Sequence, residues 1–382
     1  MACCVLSLAF HVPSMELLHY TEFCSASGVT PFPPVVAALE LAGPELSIKG
    51  VPGARRLADA DCAALGATAA AMNLKVLSLV AHDISDAGAV ALVAEDRCAS
   101  LVALDLSLNS VGAAGCAALA AALRGAGELE ELALDGNPLG EAGGVAIAGL
   151  VEAHPRLAQL RLARCDFGPD ALIALAAALG ATGSLRLLDV SEPLLFSRNE
   201  ETAGHFARAL RANFSLVRLV MRKHPHTTDT TAEWLCDALL DNASLRQLDL
   251  SANPLGPPTG AAFAHALGAG AALTHLELSS CRLGDGGAAA LAAALAAPDC
   301  ALRHLDLRAN GIGEAGVVAL MGALREPACK LECLWLWGNP GLKPGPGAEA
   351  VMDALSSGAV RAVTDLQPFE VDGQAQVAMV RV

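Results

Sequence analysis

A leucine pattern that recurs about every 28 residues constrains this chain more than any other feature. One clear copy begins at Leu302 and has the frame LxxLxLxxNxxGxxGxxxLxxxL. Self-similarity at a fixed period of this length predicts an array of stacked structural units rather than several independent domains. The frame occurs ten times at spacings of 27 to 31 residues, with its first leucine at Leu74, Leu101, Leu129, Leu157, Leu185, Leu216, Leu245, Leu273, Leu302 and Leu331.

Two periodicities within each copy predict a strand, a turn and a helix. Leu305 and Leu307 stand two residues apart, which predicts a short strand with one buried face. Leu320 and Leu324 stand four apart in an alanine-rich segment, which predicts the buried stripe of a helix, and glycines permit the turn between the two. Because one unit cannot bury its leucines alone, the units must stack. The sequence therefore predicts an α/β solenoid, a horseshoe with a parallel sheet inside and helices outside.

One position at the bend after each strand holds asparagine, cysteine or histidine in nine of the ten copies. An asparagine or cysteine side chain at this position is expected to bond neighbouring backbone groups. The position holds Asn109, Asn137, Asn253, Asn310 and Asn339, then Cys165 and Cys281 in two copies, and His82, Pro193 and His224 in the irregular ones.

The complete pattern resembles the leucine-rich repeat family, in particular its ribonuclease-inhibitor-like class with repeats of about 28 residues. The resemblance implies a solenoid whose core needs a cap at each end. We expect residues 1–15 to be disordered and residues 16–73 to form an N-terminal helical cap with one degenerate repeat. Residues 74–359 are expected to form the ten repeats, and residues 360–382 a β-hairpin cap that turns at Asp372-Gly373.

Composition and charge narrow the possible partners and compartments. The hydrophobic fraction is 54%, but alanine supplies much of it, and no window offers the run of about 18 apolar residues that a membrane-spanning helix needs. The net charge of −15 disfavours direct contact with nucleic acid, which requires a basic surface. The 12 cysteines lack the spacing of a disulfide framework, so free thiols in a reducing compartment are expected.

Short motifs that suggest other chemistry are better explained by the repeat. Residues 311–316 form a literal GxGxxG, but two of the three glycines recur at the same slots of other repeats, unlike a dinucleotide fingerprint. His224, His226 and Cys236 lack a fourth metal ligand. No serine, histidine and acid arrangement stands out as a nucleophilic site. We therefore expect no enzymatic activity, no cofactor and no metal.

The strand positions between the inward leucines are expected on the concave face of the sheet. Here the sequence departs most from the repeat, and exposed tryptophan and arginine are frequent anchors of protein interfaces. This face is therefore predicted to bind protein. The predicted residues are an acidic run with its neighbours, Asp249, Glu277, His304, Asp306, Arg308, Trp335 and Trp337, and a basic cluster, Arg161, Arg164, Arg218, Arg222 and Lys223.

The two tryptophans of the stretch LWLWGNP also admit a second interpretation. The C-terminal hairpin can fold back over the last strand and bury both rings, so that Trp335 and Trp337 belong to the cap. The sequence supports a partner surface and a cap about equally.

The irregular segments carry a closer resemblance, to the leucine-rich repeat-containing protein 34 family. The segments that carry it are PLLFSRNEET, KHPHTTDTTAEWLCDALLDNASLRQLDLS, LWGNP and QPFEVDGQAQVAMV, and the likeness covers roughly residues 16–382. It implies a non-catalytic component of the motile cilium axoneme that is associated with radial spokes. The alanine-rich, lysine-poor composition is typical of a GC-rich genome such as that of a flagellated green alga.

Three functional hypotheses follow. The first is a protein-protein interaction scaffold in the axoneme of a cilium or flagellum, bound to radial-spoke subunits and not to membrane or nucleic acid. The second is a nucleolar or cytoplasmic adaptor in ribosome biogenesis, because vertebrate members of the family are linked to that process, and an acidic chain can bind basic proteins. The third is a GTPase-activating protein of the same repeat class, but the long acidic tail of those relatives does not appear in this sequence.

Overall fold

The computed structural model describes residues 15–41, 43–195, 201–356, 360 and 362–380. These residues fall into two compact units, residues 1–133 and residues 134–382. In each unit, short parallel strands alternate with helices along the chain. The predicted α/β repeat solenoid is therefore confirmed as the fold class. The sequence predicts disorder for residues 1–15. Of these, residues 1–14 lie outside the described part of the chain.

The first unit opens with two helices and then adds four parallel strands. Strands β1 to β4 pair in chain order, and leucines occupy the central register positions, as in Leu46↔Leu77 and Leu77↔Leu104. The elements are α1 (Met15–Ala26), α2 (Pro33–Leu39), β1 (Glu45–Lys49), α3 (Asp59–Ala71), β2 (Val76–Val80), α4 (Asp86–Val93), β3 (Ala103–Asp105), α5 (Ala113–Leu123) and β4 (Glu131–Ala133).

The second unit continues the alternation and ends in a hairpin. Strands β5 to β12 are parallel and neighbour one another in chain order, whereas β13 and β14 form a separate antiparallel pair. The elements are α6 (Gly140–Ala153), β5 (Gln159–Arg161), α7 (Pro169–Ala181), β6 (Leu187–Asp189), α8 (Glu201–Ala212), β7 (Arg218–Val220), α9 (Asp229–Asp241), β8 (Gln247–Asp249), α10 (Pro257–Gly268), β9 (His275–Glu277), α11 (Gly284–Leu295), β10 (His304–Asp306), α12 (Glu314–Ala323), β11 (Cys333–Trp335), α13 (Pro346–Ser356), β12 (Val363–Thr364), β13 (Leu366–Val371) and β14 (Gln374–Met379).

The core lies between strands and helices and is built from the leucine columns of the repeat. Leu305, Leu307 and Leu320 are fully buried, as the two periodicities predicted. Each such burial stabilises the fold by roughly 1.5–3 kcal/mol. Small residues let neighbouring helices approach closely: a Cβ on Gly260 of α10 would lie only 2.5 Å from the Cα of Gly287 in α11.

A ladder of buried side chains holds the bends after the strands. The amide nitrogen of Asn253 donates to the carbonyls of Met221 in the preceding repeat and Leu250 in its own, at 2.9 and 2.7 Å. Its amide oxygen accepts from the backbone N–H of His224 at 2.7 Å. Asn339 repeats this pattern with Leu307 and Leu336. One asparagine therefore satisfies three backbone groups from two repeats.

The ladder accompanies an unusual backbone conformation. In all ten repeats the residue immediately before the ladder position has a positive φ, and only two of these residues are glycine. A left-handed conformation costs a non-glycine residue about 1 kcal/mol or more. It turns the next side chain toward the buried carbonyls. The residues are Ala81, Leu108, Gly136, Arg164, Glu192, Lys223, Ala252, Ser280, Ala309 and Gly338.

Where the ladder position holds cysteine or histidine, the side chain makes fewer hydrogen bonds than asparagine does. Cys281 points its thiol at the Leu250 carbonyl over a longer distance of 3.6 Å. His224 is almost fully buried, and its Nε2 lies 2.8 Å from the Val190 carbonyl of the preceding repeat. Since Nε2–H must donate there, the other ring nitrogen is the one that loses its proton. Burial lowers the pKa of His224 to about 4, so the imidazole is neutral in the folded protein near pH 7.

Acidic side chains at the start of several helices accept hydrogen bonds from the start of the helix in the next repeat. The carboxylate of Asp285 in α11 accepts from the backbone N–H groups of Gly313 and Gly316 in the next repeat, at 2.7 and 2.8 Å. Asp86 and Asp229 do the same for Gly112 and Gly256. Anionic groups are stabilised at helix N-termini. The GxGxxG stretch therefore receives a carboxylate of its own chain where a dinucleotide site would hold phosphate.

The last repeat is closed by the carboxylate of Asp365. This buried side chain accepts from the backbone N–H groups of Leu336 and Trp337 at 2.8 and 3.0 Å. In the preceding repeat the two corresponding groups have separate partners: the Leu307 N–H donates to the Trp335 carbonyl, and the Arg308 N–H donates to the Asp306 carboxylate. Beyond Asp365, the β13–β14 hairpin turns at Asp372 and Gly373, which both have positive φ. Among the described residues no helix is long and apolar enough to cross a bilayer.

We expect Asn253→Ala to lower the free energy of unfolding by about 2–4 kcal/mol, because three buried backbone groups lose their partner. Chemical denaturation of the whole chain measures the change. The control Gln374→Ala truncates an exposed amide and should leave stability within about 0.5 kcal/mol. Equal stabilities of the two variants would contradict a structural role for the ladder.

The free energy of unfolding of the wild type is expected to decrease as the pH falls below 6.5, and we expect this decrease to be smaller in His224→Asn. Because the unfolded imidazole titrates near pH 6.5 and the folded one near pH 4, the unfolded state binds more protons in this interval. The free energy of unfolding therefore falls as the pH drops, by up to about 3 kcal/mol. Denaturation curves at several pH values compare the two proteins. Well above pH 6.5 their pH slopes should agree, and identical slopes below it would contradict the assignment.

Candidate functional site

The candidate site is a row of side chains that the strand register places next to one another. Strands β7 to β11 pair residue by residue, so Val220 lies beside Asp249, Asp249 beside Glu277, Glu277 beside Asp306 and Asp306 beside Trp335. Each residue stands between the two inward leucines of its repeat. The predicted acidic run is thus one continuous row that ends at a tryptophan.

Two carboxylates of this row are buried, which corrects the expectation that they are exposed. Asp249 and Asp306 are each only 3% exposed. Both fold back onto their own strand: the Asp249 carboxylate accepts from the Ser251 N–H at 2.8 Å, and that of Asp306 from the Arg308 N–H at 3.0 Å. The Arg308 guanidinium then covers Asp306 at 2.5 Å. These aspartates shape the bend and position arginines rather than facing a partner.

Glu277 is the carboxylate of the row that reaches solvent. Its side chain is 41% exposed and lies between the carboxylates of Asp249 and Asp306 on the adjacent strands. Partial burial, together with the negative charge of Asp249, raises the pKa of Glu277 to about 7, although Arg218 opposes the shift from 4.0 Å away. The negative charge of this site therefore changes near neutral pH.

The predicted basic cluster is a set of ion pairs rather than a uniformly positive patch. Arg222 lies 3.6 Å from Asp249, and Lys223 lies 3.1 Å from Glu192. Arg161 lies 3.6 Å from Asp135, and Arg218 is the partner of Glu277. Since the arginines and Lys223 are at least 42% exposed in these pairs, each adds little to stability and remains available to solvent. Arg164 is exposed at a left-handed bend.

Two histidines form the floor of a small cavity beside this row. The rings of His275 and His304 stack in parallel, with centroids 4.0 Å apart and an interplanar angle of 8°. Partial burial, with the nearby His304 and Arg218, lowers the pKa of His275. The lowered pKa favours the neutral form of the His275 ring, which reduces charge repulsion within the stack. The cavity has a volume of about 180 Å³, and its lining includes both histidines, Glu277, Asp306, Arg308 and Trp335.

The two tryptophans belong to different surfaces, although one residue separates them. Trp335 is half-buried and lines the histidine cavity. Trp337 is 37% exposed and lines a larger cavity of about 520 Å³, together with Gln376 and Val377 of the hairpin. Trp335 is therefore part of the row, as the partner-surface interpretation requires. Trp337 shares a cavity with the hairpin but remains 37% exposed, so the hairpin does not bury it as the cap interpretation requires.

Other predicted features are placed as follows. His226 Nε2 lies 3.3 Å from the Leu195 carbonyl, and His224 serves the ladder, so both histidines of the supposed metal motif have structural partners. Residues 196–200 of the irregular insertion lie outside the described part of the chain. The described cysteines are free thiols, and most of them are buried.

Sequence reasoning missed two of the carboxylates that pair with the basic residues. Asp135 and Glu192, the partners of Arg161 and Lys223, stand just beyond their strands and were not among the predicted residues. A usable signal was present for the two buried aspartates and for the half-buried Asp189: each precedes a serine or arginine by two residues. That spacing is typical of an aspartate that accepts from the backbone N–H two positions on.

Comparison with known proteins agrees with this architecture. A leucine-rich repeat family model matches residues 70–93, 97–120, 272–292 and 300–321. Leucine-rich repeat-containing protein 34 of Mus musculus is 34% identical over 94 residues, which are 25% of this chain and 22% of the relative. The Homo sapiens protein of the same name is 40% identical over 70 residues, 18% of this chain and 15% of the relative. The chain thus spans about a fifth of the length of the curated relatives it matches.

We expect Glu277→Gln to remove a pH dependence of stability. Between pH 4.5 and about 7 the folded protein holds a proton on Glu277 that the unfolded chain has released, so the free energy of unfolding falls as the pH rises. Because the side chain is 41% exposed, solvent screening limits the effect to about 1 kcal/mol. Denaturation at several pH values measures it. Below pH 4.5 variant and wild type should agree, and a parallel offset at every pH would contradict the shift.

Proposed function

We propose, on the premise that this chain is a leucine-rich repeat protein of the leucine-rich repeat-containing protein 34 type, that it is a non-catalytic scaffold. In this proposal another protein binds along the row from Val220 to Trp335, together with the flanking Arg218, Arg222 and Arg308. Leucine-rich repeat proteins typically bind other proteins through such surfaces, so the proposal adds the location and the chemistry of the binding site.

The observation that carries the proposal is the arrangement of exposed charge along the row that ends at Trp335. Arg218 pairs with Glu277 two strands away, and Arg222 pairs with Asp249 on the adjacent strand. Arg308 pairs with Asp306 of its own strand, and all three arginines and Glu277 are partly exposed. Pre-positioned side chains lose little conformational entropy when a partner binds. A half-buried tryptophan that shares a cavity with the ion-paired Arg308 has the composition of an interface hot spot.

The mixed charge also determines what kind of partner fits. Arginines flank the carboxylates of the row, so a complementary surface must carry both negative and positive groups. A nucleic acid backbone, which is uniformly negative, does not meet that condition. The favoured partner is a folded protein surface with interspersed acidic and basic residues.

The compartment is a separate part of the proposal. The resemblance of the irregular segments to a family of motile-cilium proteins supports a place in the axoneme, with radial-spoke subunits as partners. Because a rigid solenoid keeps its strand spacing, it suits a permanent position in a repeating assembly. Fractionation of flagella tests this part alone: the protein should remain with the axoneme after detergent extraction, and its absence there would refute the location.

We expect Trp335→Ala to weaken partner binding about thirtyfold, the effect of truncating a central interface anchor. Crosslinking and affinity purification from ciliated cells measure which proteins are lost. The control is Trp234→Ala, since Trp234 is 41% exposed on helix α9 and lies outside the row. Both variants must first show the thermal unfolding of the wild type. Full recovery of partners by a folded Trp335→Ala protein would refute binding at the row.

A further inference from the structure

The β13–β14 hairpin has two free edges of very different character. In the part of the chain that the structure describes, its sheet contains these two strands alone. The two-residue turn makes Val371 and Gln374 a hydrogen-bonded pair, and such pairs alternate along an antiparallel ladder with pairs whose N–H and C=O groups point outward. The outward positions are Leu366, Pro368 and Glu370 on β13, and Ala375, Val377 and Met379 on β14.

Proline blocks one of these edges and leaves the other open. Pro368 sits in the middle of the outer edge of β13, where it removes the central backbone donor. Directly opposite, Val377 keeps its N–H on the outer edge of β14. Native proteins protect exposed strand edges with prolines and charges. β14 carries neither, since its sequence is QAQVAM, so its edge can accept another strand.

A cavity lies beside the open strand. Its volume is about 520 Å³, and it lies between Gln376 and Val377 of β14 and the bend that follows β11. Trp337, Pro340, Leu342 and Pro344 supply apolar parts of its wall. This volume is sufficient for one large aliphatic or aromatic side chain, and typical ligand pockets of proteins fall in the same size range.

The surroundings of the cavity indicate what would enter it. Phe369 and Val371 are exposed by 42% and 43% on the face of the hairpin that carries Gln376. Met379 is exposed by 48% on the opposite face, which carries Val377, so exposed apolar side chains lie on both faces next to the cavity. Clustered exposed apolar side chains mark interaction sites in soluble proteins. At the rim of the cavity, Lys343 is exposed and supplies a positive charge.

We propose that the outer edge of β14 and the adjoining cavity form a docking site for an extended peptide segment of a partner protein. The segment pairs with Ala375, Val377 and Met379 as an added strand, places one large apolar side chain against Trp337, and presents a carboxylate to Lys343. Strand addition of this kind derives affinity from the backbone and specificity from alternate side-chain pockets. The site is separate from the row around Trp335 and does not depend on the function proposed for it.

The observations favour a peptide over the alternatives. A helix has no free backbone groups to pair with the strand edge, because its own hydrogen bonds use them. A second copy of this chain could pair β14 with β14, but that strand carries no carboxylate and would leave Lys343 without a partner. Charge and backbone complementarity therefore point to an extended, acidic and apolar segment.

A phage-displayed library of random linear peptides, selected against the full chain, supplies the probe. We expect the selected peptides to share a large apolar residue next to Asp or Glu. A synthetic peptide of the selected sequence should slow hydrogen exchange at the amides of Ala375, Val377 and Met379. Its affinity, measured by fluorescence anisotropy, should fall about thirtyfold in Trp337→Ala, the loss of an interface anchor.

Two proline variants separate the edges. Val377→Pro copies the natural Pro368 across the hairpin and removes the outward donor of β14, so binding should weaken about fivefold or more. Glu370→Pro is the matched control, because it removes an outward donor from the β13 edge and should leave affinity unchanged. If Val377→Pro does not fold, Lys343→Glu replaces it, since reversal of an exposed charge spares the core and should weaken binding at low salt.

Several outcomes would overturn the proposal. These are selected peptides without a shared apolar and acidic pattern, equal affinity for Val377→Pro and Glu370→Pro, or a Lys343→Glu protein that binds as well as the wild type. If sedimentation detects a dimer and Val377→Pro abolishes it, the β14 edge binds a second copy of this chain instead. Loss of axonemal partners in Trp335→Ala bears on the row alone, so the two proposals fail independently.

Discussion

The hydrogen bonds from a buried side chain at the bends of most repeats determine much of what this molecule presents to solvent. The Asn253 side chain donates to carbonyls of two successive repeats and accepts a hydrogen bond from the backbone N–H of His224. Those bonds offset the cost of a left-handed residue just before it, a cost of about 1 kcal/mol for a residue other than glycine. Because the bend recurs in the same place, successive strands end in register. Without that register, the side chains between the leucines would not form a row.

The bend also explains why the charged surface is mixed. A left-handed residue projects from every bend, and in three repeats it is charged: Arg164, Glu192 and Lys223. Glu192 and Lys223 stand on adjacent repeats and pair at 3.1 Å. On the strands themselves, Asp249 and Asp306 turn back to their own backbone and hold Arg222 and Arg308. Acidic and basic residues therefore alternate instead of separating into two patches.

The end of the array obeys the same constraint by different means. The last strand has no following repeat of the same kind, so its N–H groups receive the carboxylate of Asp365. Beyond Asp365 the chain forms the β13–β14 hairpin. A cavity lies between this hairpin and the bend that contains Trp337. Trp335, still on a paired strand, stays with the row. A difference of two residues thus assigns the tryptophans to two surfaces.

The sequence by itself determined the repeat unit and its buried face. Leucine spacing within one repeat is a local property, and a fixed period allows few ways to bury it, so the solenoid, the Asp372-Gly373 turn and the structural role of the GxGxxG glycines could be predicted. It could not show that Asp249 and Asp306 are buried while Glu277 is exposed, since all three occupy the same slot. Nor could it pair Arg161 with Asp135, or place Trp337 against Val377. Those outcomes depend on which side chains the neighbouring repeats bring within about 4 Å, the distance at which charges pair and apolar groups pack, and only the tertiary structure decides that.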